Sequence, residues 1–256
     1  MQTFRRGTGS QGVWGKLFLC IALWSGVCAG AQADSFEEYE IAYMEFSQLA
    51  ESLAQGQRMP QLADKNAARL LAVLSNSSYF LDAKTHATRE LPALSEMCQQ
   101  TSMLITLYTV VNLNPTVLNM KAYPRELELL QTFQLDCIAK LASLTGELLG
   151  TFKPEDLPSV RRDGAQQMRN GAFHVYYGYL KAVNAAEVDE SQAAHIMAAL
   201  ARNAVQFASV MQPAQRKQLI VFMESGGIKE SAVLRPHLGK IMAAMATSEC
   251  TGICGL

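Results

Sequence analysis

An excess of charge of either sign is missing from this chain of 256 residues, in which 22 Lys and Arg face 23 Asp and Glu, for a formal net charge of -1. There is thus no broad basic field to attract nucleic acid or an anionic membrane surface. Histidine and tryptophan are scarce, at four and two residues, which leaves little material for a metal centre or an aromatic stacking platform. His86, His174, His195 and His237 stand alone: no two have the i, i+4 spacing that would place two imidazoles on one helix face. No Glu-x-x-His motif marks a di-iron bundle. Nucleophile and phosphate motifs are missing as well. Ser225, in Glu224-Ser225-Gly226-Gly227, lacks the preceding strand that a nucleophile elbow requires. Gly164, Gly171 and Gly178 are spaced for a helix face and not for a phosphate cradle. Paired acids such as Glu37-Glu38 and Glu155-Asp156 fall at helix starts, where the helix dipole favours them without any catalytic role.

A long hydrophobic run is also missing. Leu17 to Cys28 is apolar but falls short of the roughly 20 residues that cross a bilayer. Arg5, Arg6 and Lys16 precede or open it, no acid appears before Asp34, and Ala31-Gln32-Ala33 supplies a small-x-small cleavage pattern. Residues 1–33 therefore read as a secretory signal peptide, with Asp34 starting the mature chain; the competing reading is an uncleaved anchor. The arginine pair runs into Gly7-Thr8-Gly9, unlike a twin-arginine signal, and Val27 before Cys28 disfavours a lipoprotein. The expected location is periplasmic or secreted, with no transmembrane segment after signal cleavage.

Export changes the meaning of the cysteines. Cys20 and Cys28 leave with the signal, while Cys98, Cys137, Cys250 and Cys254 remain. An even number in an oxidising compartment favours disulfides. Of the three pairings, Cys98–Cys137 and Cys250–Cys254 are expected, because the last two share a short closing stretch that can ring-close on itself. Loop entropy puts the first bridge at roughly 4 kcal/mol and the second at about 2 kcal/mol. The alternative is that Cys98 and Cys137 are free thiols buried in helices.

What the chain does have is helical periodicity. Phe36, Tyr39, Tyr43, Phe46, Ala50 and Leu53 form the stripe of a first helix opened by Asp34 and Ser35, with Glu38 in capping-box position. Gln61–Leu81 predicts a second helix, followed by a polar turn containing His86, and Pro92 predicts the first turn of a third that ends near Asn112. Leu127, Leu130, Cys137, Leu141, Leu144 and Leu148 make a seam, interrupted by Gln134, along a fourth helix from Arg125 to about Gly150.

Ser159 to Ala186 predicts a central helix. Gly164, Gly171 and Gly178 share one stripe, Phe173, Tyr176, Leu180 and Val183 a second, and Asp163, Gln167, Asn170, His174 and Lys181 a polar third. Each interior glycine costs about 1 kcal/mol against alanine, so three on one face suggest close approach of a neighbouring helix. A sixth helix follows an Asp189 or Ser191 cap. A seventh runs from Pro213 to Gly226-Gly227, and a last one runs from about Ser231 to Ala246, with Pro236 bending it or setting its start.

The expected fold is all-α: a bundle of about eight helices around the glycine-striped helix. Residues 34–256 are expected to form a single domain, with any subdomain break falling near 151–158. The expected function is non-enzymatic: interaction with another envelope or secreted protein. The alternatives are a carrier for a small apolar ligand, and a metal-binding or enzymatic site around His174. His174, Tyr176 and Tyr177 are the candidate binding residues; no catalytic residue, metal or cofactor is assigned. A Cu(I) site from Met242, Met245, Cys250 and Cys254 is disfavoured against core methionines plus a disulfide.

Overall fold

The computed structural model describes residues 33–54, 58–81, 87–110, 121–153, 156–229 and 231–255. Among these residues the protein is a multi-helix bundle without strands. Its helices are α1 Ala33–Ala54, α2 Lys65–Leu74, α3 Ser78–Leu81, α4 Ala87–Val110 and α5 Pro124–Leu149. They continue with α6 Ser159–Ala182, α7 Glu190–Arg202, α8 Ala204–Val210, α9 Pro213–Phe222 and α10 Arg235–Thr247, and a short turn at Gly252–Gly255 follows. Residues 1–32 of the signal segment, His86, the break at Asn112–Pro115, Pro154 and the side chains of the Asp34/Ser35 capping box lie outside the described residues.

Helix α5 has the widest set of neighbours, packing on α2, α3, α4, α6, α7, α8 and the Gly252–Gly255 turn. Its seam residues Leu127, Leu130, Cys137, Leu141 and Leu144 are buried, and so are Phe133, Leu135, Ile138 and Ala142 on its other sides. Gln134, which interrupts the seam, is buried with partners: it accepts from Tyr179 Oη and donates to Ser102 Oγ, tying α5 to α6 and α4. Both expected disulfides form. Cys98–Cys137 joins α4 to α5 at a Cα separation of 5.7 Å, and Cys250–Cys254 closes the segment after α10 at 5.4 Å.

The stripe of α1 faces inward as expected, with Tyr39, Phe46 and Ala50 buried. Tyr39 stacks on Phe133 of α5, and its hydroxyl meets Thr101 Oγ1 of α4 at 2.7 Å. The β-branched end of α4 stays helical. There the Ser102, Thr106 and Thr109 hydroxyls donate to carbonyls four residues back, and Leu104 and Tyr108 enter the core.

Several boundaries differ from the sequence expectation: α2 begins at Lys65 and not at Gln61, α6 ends at Ala182 and not at Ala186, and three further differences have a local cause. The helix expected over Gln61–Leu81 is split at Ser75–Ser77 into α2 and α3. The Ser75 hydroxyl donates to Leu71 O at 2.7 Å, and Asn76 Oδ1 accepts from the Ser78 N–H and hydroxyl. Such side-chain-to-backbone bonds compete with the helical ladder. Helix α4 starts at Ala87, so Pro92 lies inside it and not in its first turn. The residues ahead of Pro92, Ala87 to Leu91, include the good helix formers Ala, Arg, Glu and Leu, which lets the helix begin early. The sixth expected helix begins on an Asp189 cap, whose carboxylate accepts from Gln192 N at 2.8 Å, but breaks at Asn203 into α7 and α8. Asn203 Nδ2 reaches back to Ala199 O and across to Asp136.

Helix α6 packs on α5, α7, α8 and the Gly252–Gly255 turn, so it is flanked on more than one side. The glycine stripe is only partly covered. Gly171 is buried, Gly164 is half-buried and Gly178 is exposed, with nothing within 4 Å of an added Cβ. Close backbone approach at Gly178 is therefore a misreading: equal spacing puts three glycines on one face, but neighbours cover only part of that face. Gly178→Ala is expected to raise stability by about 1 kcal/mol, and Gly171→Leu to lower it by roughly 1–3 kcal/mol through overpacking. Chemical denaturation of the two variants checks both signs.

Candidate functional site

The three residues singled out on α6 occupy different environments. Tyr176 is buried; its ring lies 4.8 Å from Phe207, and its hydroxyl donates to Leu200 O at 3.1 Å. Burial drives its pKa far above the ordinary tyrosine value, so it is a neutral structural donor linking α6 to α7. Tyr177 is half-buried between α6 and α9. It stacks on Phe173 at 5.7 Å, meets Phe222 edge-on at 5.2 Å and carries the Lys181 ammonium over its face at 4.2 Å. His174 is exposed on the polar face, beside the Phe173 ring at 5.4 Å. Tyr176 and His174 thus point to opposite sides of α6, and the three side chains do not converge.

Of the other described histidines, His237 is half-buried on α10. His195 is exposed, with Nδ1 2.8 Å from Ser191 O and Nε2 3.2 Å from Glu128 Oε1. Among the described residues no group of three His, Cys, Asp or Glu is arranged to hold a metal ion. Cys250 and Cys254 are joined to each other, so they present a disulfide and not the two thiolates a soft metal would take. Nor is any helix among the described residues long and apolar enough to cross a membrane.

Comparison with protein-family models, with curated proteins and with solved structures finds no match.

Three arrangements that residue patterns did not point to are visible in the fold. The first is the Asp136 junction on α5. Arg202 of α7 grips its carboxylate in bidentate fashion at 2.8 Å, and Asn203 Nδ2 and Ser77 Oγ donate to it at 2.6 Å each. One carboxylate thus joins the α2–α3 turn, α5 and the α7–α8 break. The second is Arg169 on α6, buried without a carboxylate partner among the described residues, its guanidinium held below its ordinary pKa by burial. The third is the outer face of α1, where Ile41 and Met44 are exposed. A period-3.6 count identifies them as off the core stripe, but only the packed fold shows that no described residue covers them.

The segment after α1 is clamped through a related polar set. Tyr108 Oη donates to Pro60 O at 2.6 Å, Met59 N donates to Tyr123 Oη at 3.0 Å, and Leu62 N donates to Glu126 Oε1 at 2.7 Å. Buried polar side chains of α4, of α5 and of Tyr123 just ahead of it therefore serve the backbone of the α1–α2 connection, a structural use consistent with their satisfied bonds.

Proposed function

We propose that this is an exported protein, periplasmic or secreted, that works without catalysis by docking on another envelope or secreted protein through the outer face of α1. The observation that carries this reading is the composition of that face. Ile41 and Met44 are 49% and 55% exposed, one helical turn apart. Exposed Glu37, Glu38, Glu40 and Glu51 frame them, Glu45 beside them is ion-paired with Arg69 of α2 at 2.7 Å, and the helix itself contains no Lys or Arg. An apolar pair inside an acidic ring suits a partner with an apolar patch bordered by Lys and Arg, and a flexible Met adapts well to such contacts. The two disulfides fit an oxidising compartment.

The carrier reading draws less support, because the large rings of the interior meet one another. Tyr39 packs on Phe133, Phe46 on Tyr108 and Tyr176 on Phe207. A metal or catalytic site at His174 draws the least, given the exposure of that residue.

The test is site-specific photo-crosslinking in a secreting host with the probe at Met44, and intact mass should show a chain beginning at Asp34. The expected result is one dominant protein adduct that disappears in Ile41→Lys and weakens as salt rises, with the melting temperature unchanged. An adduct pattern identical to that of a probe at the exposed polar position Gln218 would overturn the reading.

A further inference from the structure

The segment after α10 folds back into a cleft between α5, α6 and α8. Thr251 N–H donates to Ser209 O at 2.9 Å. Gly252, at φ 55°, lies backbone against backbone on Gly146: a Cβ there would come 2.5 Å from Gly146 Cα. Ile253 is fully buried in an apolar cluster of its own with Ala142, Ala165 and Val210, apart from the main core. At the floor of the cleft Arg169 is 5% exposed and donates Nη1 to the carbonyls of Ile253 at 3.3 Å and Cys254 at 3.4 Å, while its Nε has no partner among the described residues. A slot of small residues with a buried donor aimed at main-chain carbonyls has the features of a site for a short turn of peptide backbone. The Cys250–Cys254 disulfide closes a ring around the residues that fill it. Cys250 is exposed and Cys254 is buried.

We propose that this ring is a reducible latch over a peptide-binding cleft: the chain's own Thr251–Cys254 segment fills the cleft while the ring is closed, and opening the ring frees the cleft for the same segment in trans. A dithiol reductant opens it. One thiolate attacks the sulfur of Cys250, the exposed residue of the pair, the S–S bond breaks, and Cys254 leaves as a thiolate that takes up a proton. The second thiol of the reductant then displaces Cys250, leaving two protein thiols and the oxidised reductant. The other disulfide is out of reach, since Cys98 and Cys137 are both fully buried. On the loop-entropy model, opening a ring of this size multiplies the undocked fraction of the segment by roughly 30-fold.

The experiment uses the chain from Asp34 onward, which carries Cys98, Cys137, Cys250 and Cys254, in three forms: oxidised, treated with dilute dithiothreitol and alkylated, and Cys250→Ser/Cys254→Ser. Mass mapping should place both alkyl groups on Cys250 and Cys254. Backbone hydrogen exchange at residues 251–254 should quicken by roughly 30-fold in both open forms, while the remaining helices stay protected. A fluorescent, ring-closed peptide of residues 248–255 should bind the double-serine variant saturably and the oxidised chain not at all. Unchanged exchange at 251–254 in both open forms, or loss of protection throughout the bundle, would overturn the latch. Faster exchange without peptide binding would overturn the cleft as a binding site.

Discussion

Replacing Cys98 and Cys137 together by alanine is expected to lower stability by about 4 kcal/mol, the loop-entropy value for a bridge that spans 39 positions. Both sulfurs lie in the fully buried interface between α4 and α5, so alanine leaves apolar surroundings in place and adds no unsatisfied hydroxyl, as serine would. In a domain whose total stability is of the order of 5–15 kcal/mol, such a loss is large. For a chain of this size it corresponds to a fall in melting temperature on the order of 8–16 °C. The matched variant Cys250→Ala/Cys254→Ala removes a bridge of separation 4, and its expected cost is about half as much. Thermal unfolding of the two variants side by side decides the matter. A first variant no less stable than the second would show that the long loop is already constrained in the unfolded chain.

The part of this fold legible in the sequence is the part that depends on local period and loop geometry. The stripe of α1, the leucine seam of α5 and the inward line Phe173, Tyr176, Leu180 and Val183 of α6 are all readable at 3.6 residues per turn. The disulfide pairing was legible because two cysteines in one short closing segment leave the other pair a single option. The breaks at Ser75–Ser77 and Asn203 were not. Each depends on whether a polar side chain finds its own backbone, and at Asn203 also on a carboxylate 67 positions away.

The glycines show the same limit. Spacing brought Gly178 into a supposed contact that it does not make. The actual backbone-on-backbone contact joins Gly146 to Gly252 across two distant segments, and no single-helix pattern reveals that. For the candidate site, spacing alone put Tyr176 on the apolar stripe of α6 and His174 on the polar one, and the fold keeps them apart, one in the core and the other in solvent. Ile41 and Met44 drew no notice because an isolated exposed apolar residue is ordinary. Their setting among acids on an uncovered face is a property of the packed molecule.

Asp136→Ala is expected to cost about 3 kcal/mol, a large effect for a residue with no proposed part in function. The side chain of Asp136 is 10% exposed and accepts from four donor groups: the Ser77 hydroxyl, Arg202 Nε and Nη2, and Asn203 Nδ2. The ion pair itself accounts for a minor share. The Arg202 side chain is 51% exposed, and a guanidinium that stays hydrated contributes on the order of 1 kcal/mol or less. The larger share comes from leaving the buried Asn203 amide with only its bond to Ala199 O and from freeing the Ser77 hydroxyl at the α2–α3 turn. Asp136→Asn keeps one acceptor oxygen and the shape of the carboxylate, so about 1 kcal/mol is expected for it, and a double-mutant cycle with Arg202→Ala should return a coupling of about the same size. Urea unfolding of the wild type, the three single variants and the double variant Asp136→Ala/Arg202→Ala, with an unchanged denaturant slope, gives these numbers directly. If Asp136→Ala costs no more than Arg202→Ala alone, then the carboxylate is only a counter-ion for a surface arginine. In that case the α7–α8 break is held by the Asn203–Ala199 bond without help from α5.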